Sequence, residues 1–211
     1  MGLNGMASRR GWRRVGLLGG SFDPVHLAHL SLAHNALQQL ELDELRWLPV
    51  GQPWQKAGRS LAAAEHREAM VRLMMGSEPR FVLDRRELQR EGPSYTIDTV
   101  DALLSEQTEQ ALFLILGQDQ YARLTSWHRW RELLGRVSLG VAARAGEPVN
   151  MPEALAGVGV EVVRLSMPAM NISSSAVRAA KARGEDIRPM VGDAVAGYIA
   201  LHRLYEATNE Y

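Results

Sequence analysis

Two histidines, His26 and His29, lie three residues apart just after the stretch "GGSFDP", Gly19–Pro24. Spacing of i and i+3 places both imidazoles on one face of a helix. Pro24 restrains the backbone shortly before that helix, whose first N–H groups are unpaired and carry positive partial charge. The glycine pair is expected to turn sharply and to let backbone approach a ligand. These features predict a phosphate site.

An isolated His-x-x-His would more simply be one surface histidine and one buried core histidine. The apolar strand, the glycine pair and the Asp-Pro before it favour the phosphate site. The motifs G-x-G-x-x-G and G-x-x-x-x-G-K-[ST] do not follow the first strand, which argues against a dehydrogenase and a P-loop protein.

A second set of polar residues lies in "NISSSAVR", Asn171–Arg178. Its serines can cap and line a helix start, and Arg178 adds a guanidinium one turn later. This pattern predicts a second phosphate cradle. The alternative is an ordinary serine N-cap with a surface arginine.

The predicted strands and helices that position these residues alternate along the chain. Apolar runs predict the strands, and helical periodicity predicts a helix in segments between them. We therefore expect an α/β fold with a doubly wound, mainly parallel sheet, with ligands at the carboxyl ends of the strands. We expect a flexible tail over 1–13 and one domain over 14–211 that ends in a small helical part. The predicted strands are 15–18, 44–50, 80–84, 111–117, 137–143 and 160–165; the predicted helices are 27–40, 61–75, 96–105, 174–183 and 193–204.

Composition limits the remaining classes. The 24 basic and 24 acidic residues balance, so no overall charge favours a nucleic acid or a membrane surface as partner. The chain has no cysteine, which excludes disulfides and thiolate metal sites and is compatible with the cytoplasm. No apolar stretch approaches the ~20 residues of a membrane span.

The segment "GGSFDPVHLAHL" resembles the signature of the nucleotidyltransferase α/β-phosphodiesterase superfamily, and "NISSSAVR" resembles its second signature. Ala28 stands where that family normally has glycine. The resemblance implies a Rossmann-like nucleotidyltransferase fold with ATP as substrate. It also implies that ATP is bound by Gly19, Gly20, Ser21, Phe22, Asp23, Ile172, Ser173, Ser174 and Ser175.

The middle of the chain is similar to bacterial nicotinate-nucleotide adenylyltransferases, through "ELQREGPSYTIDTV", "LILGQDQYARLTSWHRW" and "GVAAR". The similarity extends over about 15–205. It implies that Ser94, Tyr95, Thr96 and Trp127 bind the mononucleotide, and that Gly117, Asp119 and Arg144 contact ATP. Independently, free N–H groups at a helix start near Thr96 suit a carboxylate. The alternatives are a core tryptophan for Trp127 and a simple helix cap for Asp119.

The loop "QPWQK", Gln52–Lys56, has Gln55 where the family commonly has histidine. Lys56 remains available to neutralise phosphate. The alternative is that Lys56 is simply a solvated loop lysine, because most lysines are exposed to solvent.

The resemblance implies adenylyl transfer from ATP to nicotinate mononucleotide, yielding nicotinate adenine dinucleotide and pyrophosphate in NAD biosynthesis. Two like unit charges ~4 Å apart repel by about 4 kcal/mol at an effective dielectric near 20, so positioning and charge stabilisation are the catalytic task, and no general base is needed. We expect His26 and His29 to act at the α-phosphate and Lys56 and Arg178 at the phosphates. Mg²⁺ is expected to be bound through ATP phosphates, without a protein carboxylate cage.

Two alternatives remain at this point. A pantetheine-phosphate or other small-molecule nucleotidyltransferase shares both signatures. A nucleotide sensor or tRNA-associated module could use the same fold without turnover, although the zero net charge speaks against tRNA. A homo-oligomer is compatible with the sequence.

Overall fold

The computed structural model describes residues 11–51, 61–143 and 149–206. The strands within them are β1 (Arg13–Gly20), β2 (Glu44–Pro49), β3 (Phe81–Leu83), β4 (Gln110–Gly117), β5 (Ser138–Ala142) and β6 (Val162–Leu165). These six strands form one parallel sheet in the order β3-β2-β1-β4-β5-β6. This is the strand order of a doubly wound Rossmann-like sheet, which confirms the predicted fold class.

The helices cover both faces of the sheet. They are α1 (Leu27–Gln39), α2 (Ala64–Met75), α3 (Thr96–Glu106), α4 (Gln118–Ala122), α5 (Trp130–Leu134), α6 (Ser174–Ala182) and α7 (Arg188–Leu201). Buried residues of α1, α2, α6 and α7 form one core with the sheet, and those of α3, α4 and α5 form a second core on the other face.

Strand β4 shows why its sequence is continuously apolar. Phe113 and Ile115 belong to the first core, whereas Leu112 and Leu114 belong to the second. Successive side chains of a strand point to opposite faces, so a central strand with a core on each side needs apolar residues at every position.

The strand order reverses between β1 and β4, both of which end in glycine. Connections leave these two strands toward opposite faces of the sheet, which opens a crevice at their carboxyl ends. Within the described ranges, none of the helices combines the length and the hydrophobicity needed to cross a bilayer.

The prediction that Gly19 and Gly20 form the turn is wrong. Both belong to β1, in register with Leu48 and Pro49 of β2, and the turn lies further on, at Asp23 and Pro24. A side-chain Cβ on Gly20 would lie 3.1 Å from the ring of Phe22. The absence of a side chain at this position therefore makes room for the Phe22 ring.

Other differences concern the ends of elements. Strand β1 starts at Arg13, inside the predicted tail, and the short helices α4 and α5 were not predicted. Helix α7 starts at Arg188 instead of 193, because Pro189 in its first turn favours helical φ. Gly192, with φ of 76°, kinks that helix just before the predicted start.

Candidate active site

A cavity of about 780 Å³ lies at the carboxyl ends of β1, β2, β4 and β5. The N-cap residues of three helices line it: His26 precedes α1, Tyr95 precedes α3 and Ser173 precedes α6. The N-terminus of each helix presents unpaired N–H groups and positive partial charge. One cavity thus combines three places that favour anionic groups.

The two imidazoles of the opening motif are stacked, with ring centroids 3.7 Å apart and an angle of 28° between the planes. The backbone N–H of His26 donates to Nδ1 of His29 over 3.2 Å. Because Nδ1 accepts, the neutral His29 ring carries its proton on Nε2. Phe22 packs edge-on against His29 with centroids 5.1 Å apart, so the ring is restrained from a second side.

His26 is buried, with 6% of its surface exposed. Burial lowers its pKa to about 4, so its ring is neutral at neutral pH. Its Nδ1 atom is shielded from solvent and has no hydrogen-bond partner among the residues that the structure describes. An anion entering the cavity would offset the unfavourable burial of charge on this ring.

The turn between β1 and α1 is held by Phe22. This residue has φ of 46°, an uncommon value for a bulky side chain, and its ring is buried against Trp47. Such backbone strain persists only where surrounding packing enforces it. The core therefore determines the path of the segment that leads to His26.

The second motif contacts the first on one face of the sheet, since α1 and α6 belong to the same core. Ser173 caps α6 by accepting from the backbone N–H of Ala176, and the hydroxyl of Ser174 donates to the carbonyl of Pro24 over 2.9 Å. Nη1 of Arg178 donates to the backbone oxygen of Asp23 over 2.5 Å and lies 3.6 Å from its Oδ2.

Of the predicted residues that the structure describes, Asp23, Ser175 and Arg178 are not part of the cavity lining. Asp23 is buried, and its carboxylate accepts hydrogen bonds from the Tyr205 hydroxyl and from the backbone N–H of Ala62. The other predicted residues of both motifs line the cavity: Gly19, Gly20, Ser21, Phe22, His26, His29, Ile172, Ser173 and Ser174.

The residues predicted to bind the mononucleotide all line the cavity: Ser94, Tyr95, Thr96 and Trp127. Thr96 begins α3, as predicted. Trp127 also packs against the second core, and its indole N–H is buried without a partner among the described residues. Both interpretations of this tryptophan thus describe part of its environment.

Gly117 and Asp119 lie where β4 passes into α4, and both line the cavity. A Cβ on Gly117 would meet nothing within 4 Å. Lys56 and Arg144 lie outside the described residues.

Three further residues were not predicted. Glu87 is buried on the cavity wall, where burial raises the pKa of its carboxyl and Thr99 donates to it. His128 lines the cavity and packs against Tyr95, with ring centroids 4.3 Å apart and the rings tilted by 31°. Arg67 is buried on α2 behind Ser21. Only Arg67 had a usable sequence signal, because it shares the apolar helical stripe of Met70 and Met74.

Charge on the cavity wall is sparse. The described lining residues include three histidines and the acidic Glu87 and Asp119, but no lysine or arginine. Over the same described ranges, no three acidic or histidine side chains are grouped in a way that could hold a metal ion.

The sequence matches the cytidylyltransferase-like family over residues 17–180. A Methylibium petroleiphilum protein named "probable nicotinate-nucleotide adenylyltransferase" is 49% identical over 197 residues, covering 92% of both chains. A Bordetella petrii protein of the same name is 43% identical, covering 92% of this chain and 99% of its own. Plasmodium falciparum nicotinic acid mononucleotide adenylyltransferase complexed with NaAD has a similar fold, with a TM-score of 0.76 at 18% identity over 92% of this chain and 97% of that chain.

The fold, the stacked histidines and these matches define an enzyme of the nucleotidyltransferase class. Within that class, the chain belongs to the nicotinate-nucleotide adenylyltransferase family.

Proposed function

We propose that the cavity transfers the adenylyl group of ATP to nicotinate mononucleotide, forming nicotinate adenine dinucleotide and pyrophosphate. The observation that carries this proposal is the convergence of three helix starts on one cavity that also holds the stacked histidines. The two substrates bring a triphosphate, a monophosphate and a pyridine carboxylate. A cavity with several separate anion-binding positions suits that combination.

The chemical step does not require a general base. A phosphate oxygen of the mononucleotide attacks the α-phosphorus of ATP, and the bond from that phosphorus to the bridging oxygen of the β-phosphate breaks as pyrophosphate leaves. The attacking oxygen is already anionic, so the enzyme has to align two negative groups and stabilise charge in the transition state. His26 and His29 perform that stabilisation at the α-phosphate.

The pair is suited to this role by its geometry. The His26 backbone fixes the tautomer of His29, and Phe22 restrains the ring. Donors that are already oriented require no reorganisation when charge develops. The α6 start, with Ser173 and Ser174, binds the triphosphate beside them.

The mononucleotide occupies the end of the cavity near α3. Free N–H groups at Thr96 receive the pyridine carboxylate, and Trp127 stacks on the pyridine ring. Gly117 and Asp119 contact ATP where β4 ends. Lys56 and Arg144 remain proposed phosphate and nucleotide contacts.

Arg178, Asp23 and Ser175 have a supporting role in this proposal. Arg178 and Ser174 bind the Asp23–Pro24 turn, so the second motif helps to hold the first in place. Arg178 also adds positive potential near the phosphates, and the Asp23 carboxylate, 3.6 Å from its Nη1, offsets part of that potential.

Mg²⁺ fits this site as a companion of ATP. Phosphate oxygens and water would hold the ion, and bound Mg²⁺ would neutralise part of the triphosphate charge. A cytoplasmic location and a homo-oligomeric assembly stay predictions.

The test is pyrophosphate release with MgATP and, separately, nicotinate mononucleotide, nicotinamide mononucleotide and phosphopantetheine. We expect nicotinate mononucleotide to exceed the nicotinamide form by at least ~10²-fold in kcat/KM, because an amide leaves donors of the site unpaired. Comparable kcat/KM values for the two mononucleotides would contradict a site that offers only hydrogen-bond donors to the pyridine carboxylate. Turnover only with phosphopantetheine would support the other nucleotidyltransferase, and ATP binding without turnover would support a sensor.

A further inference from the structure

A buried guanidinium lies directly behind the proposed phosphate site. Arg67 is 2% exposed, and its four hydrogen bonds to residues that the structure describes all go to backbone carbonyls. Nη1 reaches Ser21 at 3.0 Å and Val50 at 2.7 Å, Nη2 reaches Gly51 at 3.3 Å, and Nε reaches Ala62 at 3.0 Å. One side chain therefore joins the segment after β1, the segment after β2 and the approach to α2.

These acceptors are neutral, so the hydrogen bonds satisfy the donors of Arg67 without cancelling its charge. Burial lowers the pKa of the guanidinium, and the nearby Asp23 carboxylate opposes that effect. Burying a charge is unfavourable unless its donors are satisfied. An arginine is suited to this place because its planar fork presents five donors in fixed directions, which a lysine cannot reproduce.

The joined segments are those that form the ATP side of the cavity. Ser21 and Val50 line it, and Ser21 immediately precedes Phe22, whose ring restrains His29. The carbonyls of Gly51 and Ala62 lie on either side, in sequence, of residues 52–60, which are not described.

We infer that Arg67 is a positioning residue for adenylyl transfer, which holds Ser21 and Val50 in place for the triphosphate and adds positive potential from behind the cavity wall. The inference rests on the proposed function. It is consistent with the described lining, which has no lysine or arginine of its own.

The test compares Arg67→Lys and Arg67→Met with Arg72→Met as matched control. Arg72 lies on the same helix, its side chain is 57% exposed, and it pairs with Glu68. We expect Arg67→Lys to raise KM for ATP at least fivefold and to lower kcat about tenfold or more, because small misplacements near reacting groups are costly. KM for nicotinate mononucleotide should stay within twofold of wild type. Arg67→Met should be more affected, and Arg72→Met should match wild type.

Amide hydrogen exchange provides a readout independent of turnover. In Arg67→Lys, peptides covering 18–22 and 48–51 should exchange faster than in wild type, while those covering β4 should be unchanged. Wild-type KM values and exchange in Arg67→Lys would overturn the inference. An equal rise of both KM values, or failure of both Arg67 variants to fold, would also overturn it, since Arg67 would then support the whole domain.

The two proposals fail differently. If wild type and Arg72→Met make nicotinate adenine dinucleotide and Arg67→Lys does so equally well, only the inference about Arg67 is refuted. If wild type releases no pyrophosphate with nicotinate mononucleotide, the proposed function is refuted, and hydrogen exchange with ATP alone still tests whether Arg67 holds the turn.

Discussion

The phenol of Tyr205 donates a hydrogen bond to Oδ1 of Asp23 over 2.7 Å, although 182 positions separate the two residues. The same oxygen accepts from the backbone N–H of Ala62 at 3.2 Å. Burial, together with the bond to Asp23, raises the pKa of Tyr205, so the phenol stays protonated and able to donate. Asp23 thereby joins the turn before α1 to the segment before α2 and to the chain after α7.

Replacing Tyr205 with phenylalanine removes the hydrogen bond to Asp23 and leaves the ring. We expect the free energy of unfolding to fall by about 1–2 kcal/mol, since hydrogen bonds to charged groups contribute about 1.5–3 kcal/mol and Tyr205 is only partly buried. Urea denaturation measures the change. Tyr121→Phe is the matched control, because the buried Tyr121 hydroxyl has no partner among the described residues; equal losses in both variants would contradict the role of the Asp23 contact.

The depressed pKa of His26 predicts how stability depends on pH. The folded-state pKa is about 4, below the ordinary value of 6.5. The contribution of the neutral ring to the free energy of unfolding is therefore fully present above pH 6.5. It is lost as pH falls from 6.5 toward 4, because in that window the unfolded chain binds a proton that the folded protein does not. The loss should reach up to about 3 kcal/mol, since one pKa unit corresponds to about 1.4 kcal/mol.

The measurement is the unfolding free energy of wild type and His26→Gln between pH 7 and pH 4. The difference between the two curves should change across that window, because the variant lacks the titrating group. Parallel curves would show that His26 is not held neutral by burial.

Alanine at His26 or His29 should lower kcat by roughly 10²-fold while weakening ATP binding much less, because the rings act on charge that develops in the transition state. Steady-state kinetics and direct ATP titration separate the two effects. His34→Ala is the control on the same helix, since His34 packs against Phe81 outside the main cavity. Normal turnover by a folded His26→Ala and a folded His29→Ala would exclude the proposed role.

Gly51 should be intolerant of any side chain. A Cβ there would overlap with the backbone oxygen of Glu87, and backbone cannot move away as a flexible side chain can. We expect Gly51→Ala to destabilise the fold by about 1–3 kcal/mol, the usual range for overpacking. A Cβ at Gly117 would meet nothing within 4 Å, so Gly117→Ala should unfold at the same denaturant concentration as wild type. A Gly51→Ala protein as stable as Gly117→Ala would contradict this close approach.

Local sequence patterns predicted much of the architecture. The continuous apolar run of β4 and the alternation of elements predict a doubly wound sheet, because a central strand covered on both faces must be apolar throughout. The helix starts at Leu27, Thr96 and Ser174 were also predictable, since caps and helical periodicity depend on residues close in the chain. The i,i+3 spacing predicted both imidazoles on one helix face, whereas His26 lies at the extended N-cap position before α1 and its ring stacks on that of His29.

The tertiary structure decided what depends on contacts between distant segments. Gly19 and Gly20 extend β1 because β2 pairs with them, and Gly20 leaves space for the Phe22 ring. Arg178 binds the backbone of Asp23 because the sheet brings residues 155 positions apart into contact. The acceptors of Arg67 are likewise carbonyls of three separate segments. Backbone carbonyls have the same chemistry at every residue, so only the folded arrangement determines which of them a buried guanidinium meets.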